Sequence, residues 1–105
     1  MKIPKSLLIK GKRWTVPRVK KVTNENGELL QGQYLYPDRV ILLDRELTGE
    51  ELVITFWHEL LHVILKESHI ADNFEMPEVI EDILCDAIAY VLNDYTILKP
   101  QRGKR

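Results

Sequence analysis

The chain has 105 residues, 45 % apolar and 30 % charged, with a net charge of −1. That is one domain of ordinary globular composition, and a charge so close to zero argues for neither nucleic acid nor an anionic membrane as a partner. The single cysteine, Cys85, excludes an internal disulfide framework; Leu7-Leu8-Ile9 is too short for a signal-peptide core, and no apolar run approaches the ~20 residues of a membrane span, so a cytoplasmic protein is expected.

Strands are expected between about residues 6 and 44. Leu7–Lys10 and Arg13–Val19 read as short extended runs with Gly11-Lys12 as the turn between them. Pro17 would confine the second run to a sheet edge or interrupt it. Asn24-Glu25-Asn26-Gly27 is a strong turn signal, because Asn and Gly tolerate positive φ. Leu29–Tyr36 reads as a strand containing Gly32, Pro37-Asp38 as a turn, and Val40–Leu43 as a further strand. These pieces predict a meander of three or four strands, and the chain as a whole an α+β domain spanning residues 1–105.

Two helices follow, over about 49–67 and about 77–93. Thr48 and Glu51 form a T-x-x-E capping box at the start of the first. Pro77 suits the first position of the second, where its missing N–H costs nothing, and Glu78 suits the positive end of that helix dipole. Pro100 and the basic tail, 99–105, are expected to carry no regular structure.

His58-Glu59-Leu60-Leu61-His62 lies in the first of these helices and reads H-E-x-x-H. Positions i and i+4 of a helix share a face, so both imidazoles can hold one Zn²⁺ while Glu59 serves as general base. At 100° per residue the apolar positions from Leu52 to Leu65 cover about two-thirds of the circumference. His58, Glu59 and His62 fall in the remaining stripe, with Glu51, Thr55 and Lys66. A helix so apolar should lie between a sheet and another helix, and a polar stripe on it needs water, a partner or a metal.

Catalytic zinc commonly takes three protein ligands. The metzincin spacing H-E-x-x-H-x-x-G-x-x-H fails, since Leu65 and Ser68 stand where Gly and His would be and His69 is off by one. A carboxylate from the next helix is the other common solution. Glu81 comes first, because the wheel puts it inside the apolar arc of Ile80, Ile83, Leu84, Ala87, Ile88, Val91 and Leu92, where a carboxylate needs a positive partner. The alternative is Asp82 as ligand with Asp86, one turn later, on a histidine. Glu78 is better explained by the helix dipole.

Gly32-Gln33-Tyr34-Leu35-Tyr36, Arg39-Val40-Ile41-Leu42-Leu43-Asp44 and Thr55-Phe56-Trp57-His58-Glu59-Leu60-Leu61-His62 together resemble the small zincin-like metallopeptidases of phages and mobile elements, which are similar to the ImmA/IrrE metallo-endopeptidase family. The resemblance runs from about residue 29 to 92. It implies a minimal zincin core: a small sheet, the active-site helix and a ligand-bearing helix whose acid aligns with either Glu81 or Asp82.

The function expected is zinc-dependent hydrolysis of a peptide bond in a protein or peptide substrate. His58, His62 and Glu81 would be the ligands, and Glu59 would take a proton from water and return it to the leaving amine. The Arg39–Leu43 strand would be the edge that pairs an extended peptide. Tyr34, Tyr36, Tyr90, Tyr95 and His69 are candidate oxyanion donors. Trp14 and Trp57 read as core or half-buried anchors, and Cys85 as a small buried hydrophobe. The competing expectation is a non-catalytic, zinc-stabilised interaction module, and behind it a metal-free interaction domain.

Overall fold

In the computed structural model the backbone of residues 1–102 and the side chains of residues 1–96 are described. Seven short strands precede three helices. They are β1 (Ser6–Ile9), β2 (Lys12–Thr15), β3 (Arg18–Val19), β4 (Val22–Thr23), β5 (Leu29–Leu30), β6 (Gly32–Leu35) and β7 (Val40–Asp44), then α1 (Gly49–Glu67), α2 (Ile70–Asn73) and α3 (Glu78–Arg102). The domain is α+β, as expected, but the sheet is not a meander.

β1 and β2 form a hairpin in which Leu7 faces Trp14 and Ile9 faces Lys12. Its two-residue turn is Lys10-Gly11, one residue earlier than Gly11-Lys12, with φ of 52° and 78°. Positive φ at both central positions matches the twist of the flanking strands. β2 and β3 then run parallel to β7 in one register, Thr15 opposite Val40 and Arg18 opposite Leu43. Pro17 does interrupt the run between them, yet its carbonyl still accepts the Leu43 N–H at 3.2 Å. Across β7 lies β6, antiparallel, from Gly32 opposite Leu43 to Leu35 opposite Val40.

The expected Leu29–Tyr36 strand is split. Leu29 and Leu30 pair with β4 around the Asn24–Gly27 turn, while residues from Gly32 onward join β7. Asn24 organises that turn, its Oδ1 accepting the N–H groups of Asn26 and Glu28, both at 3.0 Å.

The sheet curls over α1. Trp14, Val16, Ile41, Leu43, Phe56, Leu60 and Val63 form the buried core between them. Trp14 has no exposed surface, and its indole N–H donates to Glu67 Oε2 at 3.3 Å. Glu67 is buried at the end of α1, and Lys12 lies 3.6 Å from its other oxygen. Trp57 is half-buried.

α1 spans the residues the sequence predicts. Thr48 is its N-cap, but the Thr48 hydroxyl makes no cap hydrogen bond. Gly49 has φ of 57°, so the first turn lacks the helical geometry that a capping box needs. α3 runs past Asn93 and through Pro100 to Arg102, where a stop near 93 and an irregular residue 100 were expected; residues 103–105 of the basic tail lie outside the described residues. The physical reason is that Asn93 is not a terminator here: it is buried at mid-helix, and Thr96 one turn on bonds back to the Leu92 carbonyl at 2.8 Å.

The packing face of α3 also differs from the wheel. Among the described residues Cys85, Ala89 and Asn93 are its buried ones, while Ile80, Ile83, Leu84, Ile88 and Val91 are exposed. A row of small side chains spaced four apart lets α3 come close to α1, and the bulky aliphatics face away. No helix among the described residues is long and apolar enough to cross a membrane.

Candidate metal and catalytic site

α1 presents His58, Glu59 and His62 where β6 and α3 approach it. His58 Nε2 is 3.0 Å from Asp82 Oδ1, His62 Nε2 is 3.2 Å from the same oxygen, and the two Nε2 atoms are 3.1 Å apart. These three residues form the one His/Cys/Asp/Glu group, among the described residues, whose atoms could hold a metal ion. His62 is buried, His58 is half-buried and the Asp82 side chain is 61 % exposed. The trio is therefore walled by protein on the helix side and open on the Asp82 side.

Each remaining imidazole nitrogen faces a carboxylate. His62 Nδ1 donates to Glu81 Oε2 at 2.5 Å, and His58 Nδ1 lies 3.3 Å from Asp86 Oδ1. Both nitrogens of each imidazole thus lie near a carboxylate oxygen, and a proton or a cation between the Nε2 atoms and Asp82 Oδ1 would satisfy the converging atoms.

Glu81, the acid expected first as ligand, has its carboxylate on Nδ1 of His62, the nitrogen turned away from the trio. Asp82 occupies the converging position, with Asp86 on the other histidine. The close approach of α3 at Cys85 and Ala89 is what allows a side chain as short as Asp to reach. Glu78 is exposed at the start of α3 and stands outside the trio.

Glu59 lines an open cleft of about 410 Å³ together with His58, Asp82, Asp86, Gly32 and Tyr90. Burial holds its carboxyl above the usual Glu range, although the charges of His58 and His62 and a hydrogen bond from the Tyr34 backbone pull the other way. For Asp82, burial also pushes upward, but the hydrogen bonds and charges of His62 and His58 outweigh it and leave the carboxyl below its ordinary value. The Cys85 thiol is pushed up to about 12 by burial and by Glu81 and Asp82, so it stays protonated and acts as a small hydrophobe.

Gly32 sets the spacing between β6 and α1. A Cβ there would lie 2.8 Å from Thr55 Cγ2, 3.1 Å from Glu59 Cγ and 3.2 Å from the Leu42 carbonyl. The sequence reading noted Gly32 without giving it a role; a glycine inside a strand was the available signal for a close approach. Gln31, whose Oε1 accepts from the Thr55 hydroxyl at 3.4 Å, and the cleft residues Leu29, Leu30 and Ile54 carried no sequence signal.

The candidate oxyanion donors separate. Tyr34 stacks on the His62 ring at 5.6 Å, and burial, followed by the charges of Glu81 and Glu59, raises its hydroxyl pKa, so it remains a donor. Tyr90 lines the cleft. Tyr36 is taken up elsewhere, stacked on Trp14 with the Lys66 ammonium 5.2 Å from its ring centroid. His69 is exposed and caps α2, and Tyr95 is exposed and outside the cleft lining.

The Arg39–Leu43 strand has no free edge. β7 is paired on one side with β2 and β3 and on the other with β6, because the chain continues in register past Pro17. Among the described residues β6, which pairs only with β7, is one edge of the sheet, and β1, which pairs only with β2, is another. The carbonyls of Gln31 and Leu35 accept N–H groups of Asp44 and Arg39 toward the β7 side. By alternation the backbone groups of Gly32 and Tyr34 face outward, over Glu59.

No protein-family model matches this chain, and neither a curated protein nor a solved structure is found to match it.

Proposed function

We propose that the chain is a zinc-dependent peptidase of minimal zincin type, with His58, His62 and Asp82 as metal ligands and Glu59 as general base. One observation carries the reading: two imidazole nitrogens and a carboxylate oxygen converge at 3.0–3.2 Å with both histidines oriented by further carboxylates. Tetrahedral zinc with bonds of about 2.0–2.1 Å separates its ligand atoms by roughly 3.3 Å, so the trio needs to open by only a few tenths of an ångström. Two His and one acid are a donor set that catalytic zinc takes, and carboxylates on the outer nitrogens fix the tautomer such ligands need.

When bound, zinc would supply Lewis-acid polarisation of a carbonyl and bring the pKa of water toward about 7. Glu59, held by burial above the usual carboxylate range, is then suited to accept a proton from water and pass it to a leaving amine. The outward backbone groups of Gly32 and the carbonyl of Tyr34 can pair with an extended peptide laid along β6, which puts its carbonyls beside Glu59. The Tyr34 hydroxyl, kept protonated on a ring stacked against His62, is a donor that would steady developing negative charge.

The test is cleavage of a whole-cell protein extract by zinc-loaded protein, read as new peptide N-termini. Wild type should generate termini that a chelator abolishes and added zinc restores, and Glu59→Gln should generate none while still binding zinc. The same termini from Glu59→Gln, or none from wild type, would reject peptidase activity.

A further inference from the structure

We infer that the cleft beside Glu59 selects an aliphatic or aromatic side chain of the substrate close to the cleaved bond, with Leu29, Leu30 and Ile54 as the residues that select it; the inference rests on the peptidase reading above. The cleft holds about 410 Å³. That lies within the ~300–1,000 Å³ of small-ligand sites, so one bulky side chain fits with its backbone beside it. The lining is of two kinds. His58, Glu59, Asp82 and Asp86 supply its charged and polar groups, while β5 and α1 supply an apolar wall of Leu29, Leu30 and Ile54. Leu29 is 70 % exposed. A lone exposed leucine is common; this one stands with two further aliphatic side chains on the wall of the cleft that holds the candidate general base.

Chain continuity puts that wall on the path of the substrate. Only Gln31 separates β5 from β6. A peptide paired with the outward groups of Gly32 therefore meets Leu30 and Leu29 within three residues, at most ~10 Å of extended chain. The substrate carbonyl beside Glu59 and the side chain against Leu29 thus belong to the same short segment. Charge rejects one class of side chain. Glu59, Asp82 and Asp86 line the cleft, and among the described residues no lysine or arginine does. An acidic substrate residue is repelled there. An apolar one leaves water against the three aliphatic side chains, which is where selection comes from.

The test maps the residues on both sides of every new terminus that zinc-loaded wild type generates in a whole-cell protein extract. Aliphatic and aromatic residues should be enriched about tenfold at one fixed position within three residues of the cut. Leu29→Lys, a change at an exposed side chain, should lower that enrichment several-fold and raise Asp and Glu at the same position. Binding gives a readout that needs no turnover. By calorimetry on zinc-loaded wild type, 4-methylpentanohydroxamate should bind about tenfold tighter than acetohydroxamate. Leu29→Lys should shrink that ratio, whereas a merely structural role for Leu29 would move both hydroxamates together. Cuts with no apolar preference, a preference for Lys or Arg drawn by Asp82 and Asp86, or a preference that Leu29→Lys leaves unchanged would overturn the inference and leave the peptidase reading standing. No cut by wild type would overturn that reading and the inference with it.

Discussion

A carboxylate on one methylene reaches less far than one on two, and the site turns on that difference. Asp82 meets both Nε2 atoms because Cys85 and Ala89 let α3 lie close; Glu81, adjacent and longer, passes to the outer nitrogen of His62. Losing a ligand and losing the residue that orients a ligand should differ in size, the second by about 10–100-fold in metal affinity. Asp82→Ala should therefore weaken zinc more than Glu81→Ala in a chelator-competition titration, and the reverse order would restore Glu81 as the ligand. Glu59 gives a separate prediction. Its folded-state pKa is raised, chiefly by burial. A raised carboxyl contributes stability that is complete below the unfolded value, about 4.3, and is lost as pH rises through the folded value. In metal-free protein, Glu59→Gln should be as stable as wild type in acid and more stable near neutral pH. Chemical denaturation at a series of pH values checks this, and a gap that opens toward acid would contradict it.

The elements place these residues through two close approaches, β6 on α1 and α3 on α1, and neither was read from the sequence. α1 was legible in its limits and in its burial, because ten apolar residues wind around it and leave a single polar stripe. The contact of β6 with α1 depends on the missing Cβ of Gly32. Gly32→Ala should cost about 1–3 kcal/mol as Thr55 and Glu59 are pushed aside. Since Glu59 moves and the histidines do not, zinc affinity should change less than cleavage. An unaltered unfolding midpoint would show that the strand and helix have slack. α3 was misread because a wheel ranks residues by hydrophobicity, whereas the helix packs by size: Cys85, Ala89 and Asn93 go in and the aliphatics stay out. The same wheel put Glu81 ahead of Asp82. β7 was misread as an edge because parallel pairing with β2 and β3 joins residues some 25 positions apart, and no local pattern encodes that.

Over the whole molecule, the site joins the two long helices. α3 is held to α1 by a narrow row of small side chains, so a cation shared by His58, His62 and Asp82 adds a tie where apolar contact is thin. Under the proposed function, zinc would bind the folded trio and not the dispersed residues of the unfolded chain, and at a hundredfold excess over its dissociation constant it would stabilise by about 2.7 kcal/mol. For a domain of this size that corresponds to roughly 10 °C in the unfolding midpoint. The decisive measurement is the thermal unfolding of chelator-treated protein with and without zinc, for wild type and Asp82→Ala side by side. Wild type should rise by about that amount and Asp82→Ala by little; no rise in wild type, or an equal rise in both, would contradict a zinc site built on His58, His62 and Asp82.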